Sequence, residues 1–380
     1  MKNLFVALFL ALFLGACSAE KAAVVTISNS SSLTRTNEMV EIAYDSIVSA
    51  LTLPAGQSIV VEGPNGKQVP YQIVYEGEKE PQKIIFLTTL EAKGSATYKI
   101  KQGTPDPVKC KAYGRIVKER KDDICWENDR IAFRTYGPAL EATGEITNAY
   151  DIWLKRTEDT IINKRYHNEL VNHISYHKDN GDGMDNYSAG RTLGAGAMAP
   201  YFNDTIVLAK NWVTCEILDN GPLRISFRMT YAPFKVGENM VEETRFISLD
   251  AGSQLNKVID TYKNLPEGAM VAAGIVKHQG MDEFMAESNG GYACYADPIV
   301  NPEDGQTFIA TVFPHPVKEI NPEACGHCLT ITNDKGETGN VYYFGAGWTK
   351  WGFENSAKWY EYIQHFSDRL RSPLAVSISK

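Results

Sequence analysis

Short runs rich in β-branched and aromatic residues recur along this chain, each closed within a few residues by a turn former. Val24-Val25-Thr26-Ile27, Gln57-Ser58-Ile59-Val60-Val61, Lys83-Ile84-Ile85-Phe86-Leu87, Ile131-Ala132-Phe133-Arg134 and Leu223-Arg224-Ile225-Ser226-Phe227-Arg228 are examples. Such side chains suit a pleated, half-buried surface. Pro64-Asn65-Gly66, Asn220-Gly221-Pro222 and Asp250-Ala251-Gly252 supply the reversals between them. From Arg224 to Met229 polar and apolar residues alternate, which covers one face of a sheet and leaves the other to a different environment. Helical spacing is confined to Asp151–Thr157 and to Ala357–Leu370, where Trp359, Tyr362, Ile363 and Phe366 form a stripe. The chain is therefore expected to be all-β with few short helices.

With 380 residues, 43% of them hydrophobic, there is material for a sizeable core and for two domains. Residues 22–107 read as a small N-terminal β-sandwich ending in the linker Thr104-Pro105-Asp106-Pro107, and residues 108–380 as a large β-sandwich that carries the catalytic residues. Ahead of them, Met1-Lys2-Asn3 and the apolar run Leu4–Phe13 lead to Leu14-Gly15-Ala16-Cys17. The run is shorter than the roughly 20 residues a spanning helix needs. It reads as a lipoprotein signal over residues 1–16, with Cys17 as the lipidation site and residues 17–21 as a tether. The expected location is that of an exported lipoprotein, facing the periplasm or the cell surface and touching an outer or inner membrane only through its lipid. A formal charge of −8, or −9 without Lys2, argues against nucleic acid as a partner.

Tyr176 to Pro200, YHKDNGDGMDNYSAGRTLGAGAMAP, concentrates the chemistry. Its glycines permit sharp turns and close approach of a ligand, while His177, Tyr187 and Arg191 are candidates for proton transfer and anion binding. Asp179, Asp182 and Asp185 are candidates for substrate binding, with a calcium ion as the alternative use of the same carboxylates. His173 and His177 would share a face of a strand, or stand four apart on a helix as zinc ligands do, although the Glu of the zincin pattern is missing and the glycines oppose a helix. No metal or other cofactor is required by the chemistry outlined below.

Further along, Lys277 and His278 close an apolar strand, a common position for site residues. Trp348, Lys350 and Trp351 lie in a glycine-rich turn and could form a sugar-binding platform. Cys325-Gly326-His327-Cys328 has the letters of a redox motif but runs into the β-rich Leu329-Thr330-Ile331-Thr332 rather than opening a helix, so a local disulfide or two plain thiols is the expectation.

Together, Trp126–Arg134, Tyr176–Gly196, Gly221–Arg224, Ser248–Ser253 and Gly345–Lys350 resemble the DUF4861 family of exported Bacteroidetes proteins. The resemblance implies a carbohydrate-related role in polysaccharide utilisation, with some relatives looking like oligosaccharide dehydratases. It also implies a small sandwich followed by a supersandwich similar to that of galactose mutarotase. On that footing the expected activity is elimination at a terminal uronate of an oligosaccharide, a carbon–oxygen lyase reaction, with His177, Tyr187, Arg191 and His278 as catalytic residues. Glycoside hydrolysis and non-catalytic glycan binding at the surface are the alternatives.

Overall fold

The strand Ala22–Ser28 alternates half-buried and buried residues along its whole length, and that period of two sets the first layer of the molecule. In the computed structural model, which describes residues 21–51, 57–332 and 337–379, this strand pairs antiparallel with Ser95–Gln102 on one side and with Ala375–Ser379 on the other. Ile59–Glu62 completes the four-stranded sheet. A three-stranded sheet of Arg35–Ala43, Lys83–Leu90 and Tyr71–Val74 faces it. Val25, Ile27, Ile42, Phe86 and Ile100 fill the space between them. The first sandwich is thus not confined to residues 22–107, because the end of the chain returns to supply an edge strand.

The rest of the chain is built on a nine-stranded antiparallel sheet whose long central members are Arg224–Tyr231, Asn239–Asp250, Leu255–Lys263 and Asn340–Trp348. Two five-stranded sheets cover one face. One contains Ala195–Phe202, Met270–Val276 and His327–Thr332; the other contains Asp123–Asn128, Ala132–Thr135, Asp151–Lys155 and the short Gly183–Met184. Side chains from all three sheets, among them Trp126, Phe133, Tyr150, Phe227 and Phe344, form one continuous core. Against the other face lies the helix Ser356–Arg371, capped by the Asn355 carboxamide, which accepts from Lys358 N. Its Trp359 and Ile363 pack on Phe308, Cys294 and Ala310.

The helix expected at Ala357–Leu370 is present. The one expected at Asp151–Thr157 is instead the strand Asp151–Lys155, every residue of which is buried. A strand enclosed on both faces loses its polar alternation, so its apolar run mimics a helix segment. Its neighbour pair Glu127 and Lys155 is fully buried: Lys155 Nζ donates to Glu127 Oε2 at 2.7 Å, and the same carboxylate accepts from Ile161 N and Ile162 N. This fixes the start of the helix Ile162–His167 and hence the direction from which the next segment enters.

Candidate functional site

The segment from Tyr176 to Gly194 runs from the end of a helical turn to the strand Ala195–Phe202 with almost no regular structure. Its path is set by contacts with strand ends. Gly183 and Gly194 both have positive φ, and a Cβ at either would sit within 2.3 Å of the carbonyl oxygen of Leu154 or Tyr150. Only glycine lets the segment press so closely against the strand beneath it. Between these two points Asp185 N donates to Tyr176 O at 2.9 Å, and Thr147 Oγ1 donates to Gly190 O at 2.5 Å.

Beneath the segment lies a buried charge cluster centred on Arg134. Its guanidinium donates through Nε to Asp151 Oδ2 at 2.9 Å and through Nη2 to Asp185 Oδ2 at 3.0 Å, with Asp123 at 3.9 Å. Three carboxyl groups around one guanidinium in a region poor in water cannot all ionise freely. Burial, opposed by Arg134, pushes Asp123 up to about 7. Asp185 is raised as well, by burial first and by the charge of Asp151 second. Tyr136 donates its hydroxyl to Asp151 Oδ2 at 2.8 Å, and burial and that carboxylate hold it well above the usual phenol range, so it remains a proton donor.

His177 connects this cluster to solvent. Its side chain is 59% exposed, and Nδ1 lies 2.9 Å from Asp185 O. A carbonyl only accepts, so Nδ1 carries the proton and, in the neutral ring, Nε2 keeps a free lone pair. Tyr136 lines a cavity of about 360 Å³ with Glu145, Thr147, Gly190 and Arg191. Arg191 is exposed and, among the described residues, forms no ion pair. It lines the cavity together with the phenol of Tyr136 and the carboxylate of Glu145.

His278 plays a different part from the one expected. Nδ1 faces Asp297 Oδ1 at 2.8 Å and Nε2 faces Ser188 O at 2.8 Å, so both nitrogens donate and the ring is best satisfied as the imidazolium. The Asp297 hydrogen bond raises its pKa accordingly. His278 clamps the segment to the end of Met270–Val276, and with no lone pair left it is not a free base. Asp297 also shifts upward, because burial outweighs the pull of His278. Both shifts make stability fall as pH rises: the His278 contribution is fully present below the ordinary histidine value and that of Asp297 below the ordinary carboxylate value, and each is lost as pH rises through its folded-state pKa. Unfolding of His278→Gln is therefore expected to show a deficit of about 1–2 kcal/mol at pH 6, shrinking when the comparison is repeated at pH 9. A deficit that grows with pH would remove the imidazolium from this account.

Tyr187 packs edge-on against His278, with ring centroids 5.3 Å apart. Its hydroxyl is sealed from solvent without a partner, and burial together with Asp297 and Asp151 keeps it protonated. It is not placed to meet a ligand, which corrects its expected catalytic role. The substrate-binding roles expected for the three aspartates are corrected too. Asp182 is held by Lys164 at 2.7 Å and Arg165 at 3.3 Å, and Asp185 by Arg134. Asp179 accepts from Gly181 N and Gly183 N and pairs with Arg156. These oxygens face cations and amides of the protein, and no group of three or more His, Cys, Asp or Glu placed to hold a metal ion occurs among the described residues. His173 ends a helical turn at φ +56° and shares no strand with His177.

The later candidates separate. Lys277 Nζ pairs with Asp282 at 3.3 Å and with Glu323. Trp348 is 1% exposed and donates Nε1 to Asp304 O at 2.8 Å, so it is a core residue and not a platform. Lys350 lies 5.4 Å from the Trp348 ring centroid, with Nζ 3.9 Å from Asp179 Oδ2, which brings its turn to the edge of the Tyr176–Gly194 segment. Trp351 faces a separate groove beside Phe353 and Tyr362. Cys325 and Cys328 are unpaired thiols, and burial pushes Cys328 up to about 12, the reverse of what redox chemistry needs. Cys17 and the signal lie outside the described residues.

Arg134, Tyr136, Asp151 and Asp297 were not singled out from sequence. The one available signal was an ionisable residue inside or at the end of an apolar strand, as in Ala132-Phe133-Arg134 and Asp151-Ile152-Trp153-Leu154.

Fold and site together define an all-β protein of two sandwiches, with a polar site built on one long segment over buried charges. The chain belongs to the family described as a domain of unknown function, DUF4861, whose model matches residues 27–376. It is 30% identical over 281 residues to "Uncharacterized protein P7" of Formosa agariphila, covering 70% of this chain and 69% of that protein. Among solved structures it is similar to an alpha-mannosidase from Enterococcus faecalis V583, at a TM-score of 0.53 and 11% identity over 95% of this chain. A protein in the glycosyl hydrolase family 38 from Enterococcus faecalis gives 0.55 and 12%, again over 95% of this chain. The chain spans 46% and 48% of those two proteins, and the likeness concerns the fold.

Proposed function

We propose that this protein is a carbohydrate-active enzyme that eliminates across C4 and C5 of a terminal uronate, working as an exported lipoprotein anchored through Cys17. The carrying observation is His177: the Asp185 carbonyl fixes its proton on Nδ1 and leaves Nε2 open on an exposed ring. In this reading Arg191 pairs with the uronate carboxylate and so makes the C5 proton removable. His177 Nε2 takes that proton, the C–H electron pair becomes the C4=C5 bond, and the C4–O bond breaks. The leaving oxygen receives the proton of Tyr136, whose raised pKa keeps it protonated at neutral pH. General acid–base assistance of this kind supplies about 10²–10⁴-fold, and no cofactor enters the scheme. The carbohydrate-related names of structurally similar proteins support the reading at the level of substrate class.

Hydrolysis is the second reading, favoured by the names of both structures, an alpha-mannosidase and a protein in the glycosyl hydrolase family 38. It needs two carboxyl groups on either side of a glycosidic bond. Asp151 and Asp185 are the pair at hand, yet both are almost fully buried on one guanidinium. The two reactions part cleanly when the full chain is incubated with uronate-terminated oligosaccharides. Elimination gives an ultraviolet-absorbing product, one water lighter if the C4 hydroxyl leaves. Hydrolysis adds water and gives no such absorbance, and unchanged substrates across a broad panel would reject both.

A further inference from the structure

A more spacious region than the cavity beside Tyr136 lies away from the segment described above. It lies where the first sandwich meets the turn Asp250–Gln254 and the helix Ser356–Arg371, as two adjoining cavities of about 480 and 420 Å³ that share Thr36, Asn37, Gly252, Tyr362 and Arg369. Several short motifs singled out in the sequence build its floor. Asn128 Nδ2 donates to Asp250 O and Ser253 O, Asp129 Oδ1 accepts from Gly252 N at 2.7 Å, and Arg224 pairs with Asp250. On the opposite wall the strand Arg35–Ala43 slips register between Arg35 and Glu38, and Asn37 takes φ +51°. A bulge of this sort re-aims side chains, here toward the groove.

Charge and shape in the smaller cavity are one-sided. Its basic lining consists of Arg130, His365 and Arg369, with no Asp or Glu, and none of the three forms an ion pair with a described residue. Arg369 stacks its guanidinium 5.4 Å from the Phe366 centroid, and its buried Nε has no hydrogen-bond partner. Gln254, 6% exposed, lines the same cavity with its Oε1 unpartnered. Buried polar atoms are rarely left unmatched unless something else completes them. Trp351, Phe353 and Tyr362 add aromatic surface. In the larger cavity three carboxylates, Glu38, Glu41 and Asp250, stand against three cations, Arg224, Lys257 and Arg369, so the surplus of positive charge belongs to the smaller cavity.

The geometry points to a second saccharide-binding site in this groove, selective for sugars that carry a carboxylate or a sulfate ester. The anion meets Arg130 and Arg369, and the ring lies against Trp351 or Tyr362. A guanidinium can grip either anion at two points, and stacked aromatics favour the apolar face of a sugar. That the ligand is a sugar rests on the preceding reading; its charge rests on the groove. No proton-transfer group with an open lone pair and a fixed tautomer like that of His177 is evident here, so the site holds substrate and does not transform it.

The test titrates the folded full chain, by calorimetry and by tryptophan fluorescence, with three sets of oligosaccharides of equal length: uronate-containing, sulfated and neutral. The expected result is tighter binding of one or both acidic sets than of the neutral set, weakened by salt, and a loss of roughly tenfold or more in Arg369→Ala and in Trp351→Ala. Arg369→Lys should recover part of the loss, and Arg130→Ala serves if Arg369→Ala does not fold. His177→Ala should bind in the groove as the parent does. Equal binding of neutral and acidic sugars, no binding of any acidic set, or unchanged affinity in folded Arg369→Ala and Trp351→Ala overturns the proposal. Unaltered turnover in His177→Ala would instead overturn the catalytic reading and leave the groove standing.

Discussion

His177→Ala is expected to lower turnover of a uronate-terminated oligosaccharide by about 10²–10⁴-fold, with unfolding free energy changed by no more than about 0.5 kcal/mol. The size of the first effect follows from removing an imidazole of the Tyr176–Gly194 segment whose tautomer is fixed and whose second nitrogen is open. The smallness of the second follows from its exposed side chain, which contributes a single hydrogen bond to a backbone carbonyl. If the ring were merely structural, the order of the two effects would reverse. Single-turnover kinetics beside chemical denaturation reads both. Exogenous imidazole offers a further check, because a small base diffusing into the space left by the side chain should restore part of the rate in the alanine variant and none in the parent. A variant retaining more than a tenth of parental turnover would end the assignment of His177 as the base.

The largest effect on stability is expected at Arg134. Replacing it with methionine keeps much of the volume and removes the cation shared by Asp151 and Asp185, with Asp123 nearby. Taking away one side of a buried ion pair costs about 3–5 kcal/mol, chiefly because the remaining charges stay out of water without compensation. The pH dependence follows from the sign of the shifts. Asp123 and Asp185 already have raised pKa values in the fold, and loss of Arg134 raises them further. Above their unfolded values the unfolded chain then binds fewer protons than the folded one, so stability falls as pH rises. The deficit of Arg134→Met should therefore be greater at pH 8 than at pH 5. Adding Asp151→Asn should recover part of it by removing one of the stranded charges. A deficit independent of pH, or no recovery in the double variant, would mean that the cluster acts through packing alone.

Sequence made some of this legible and hid the rest for identifiable reasons. The alternation in Arg224–Met229 and the stripe Trp359, Tyr362, Ile363 and Phe366 announced a strand and a helix correctly, because each element has one covered face. Asp151–Lys155 misled because both of its faces are covered. At the site, local composition found the segment but not the division of labour within it. His177 and Tyr187 are ten residues apart and chemically plausible alike, yet one is exposed and the other sealed, a difference set by strands more than eighty residues away. Trp348 and Trp351 show the same limit over three residues: one ends a buried strand, and the other turns into the groove. Asp297 could not be found at all, since its meaning depends on His278 lying across a sheet edge.

The strand Ala375–Ser379, which closes the first sandwich beside Ala22–Ser28, carries a consequence for the order in which the molecule can form. Contacts so far apart in the chain are the slowest kind to establish, because the entropy of closing the intervening loop is lost before any pairing compensates for it. During synthesis the first ninety or so ordered residues would exist with one edge of their sheet uncovered until the final strand emerges. The small sandwich can therefore begin early but is completed only when Ala375–Ser379 arrives, and its completion joins two strands far apart in the chain. The two sandwiches, separate as layers, are bound into a single event in time.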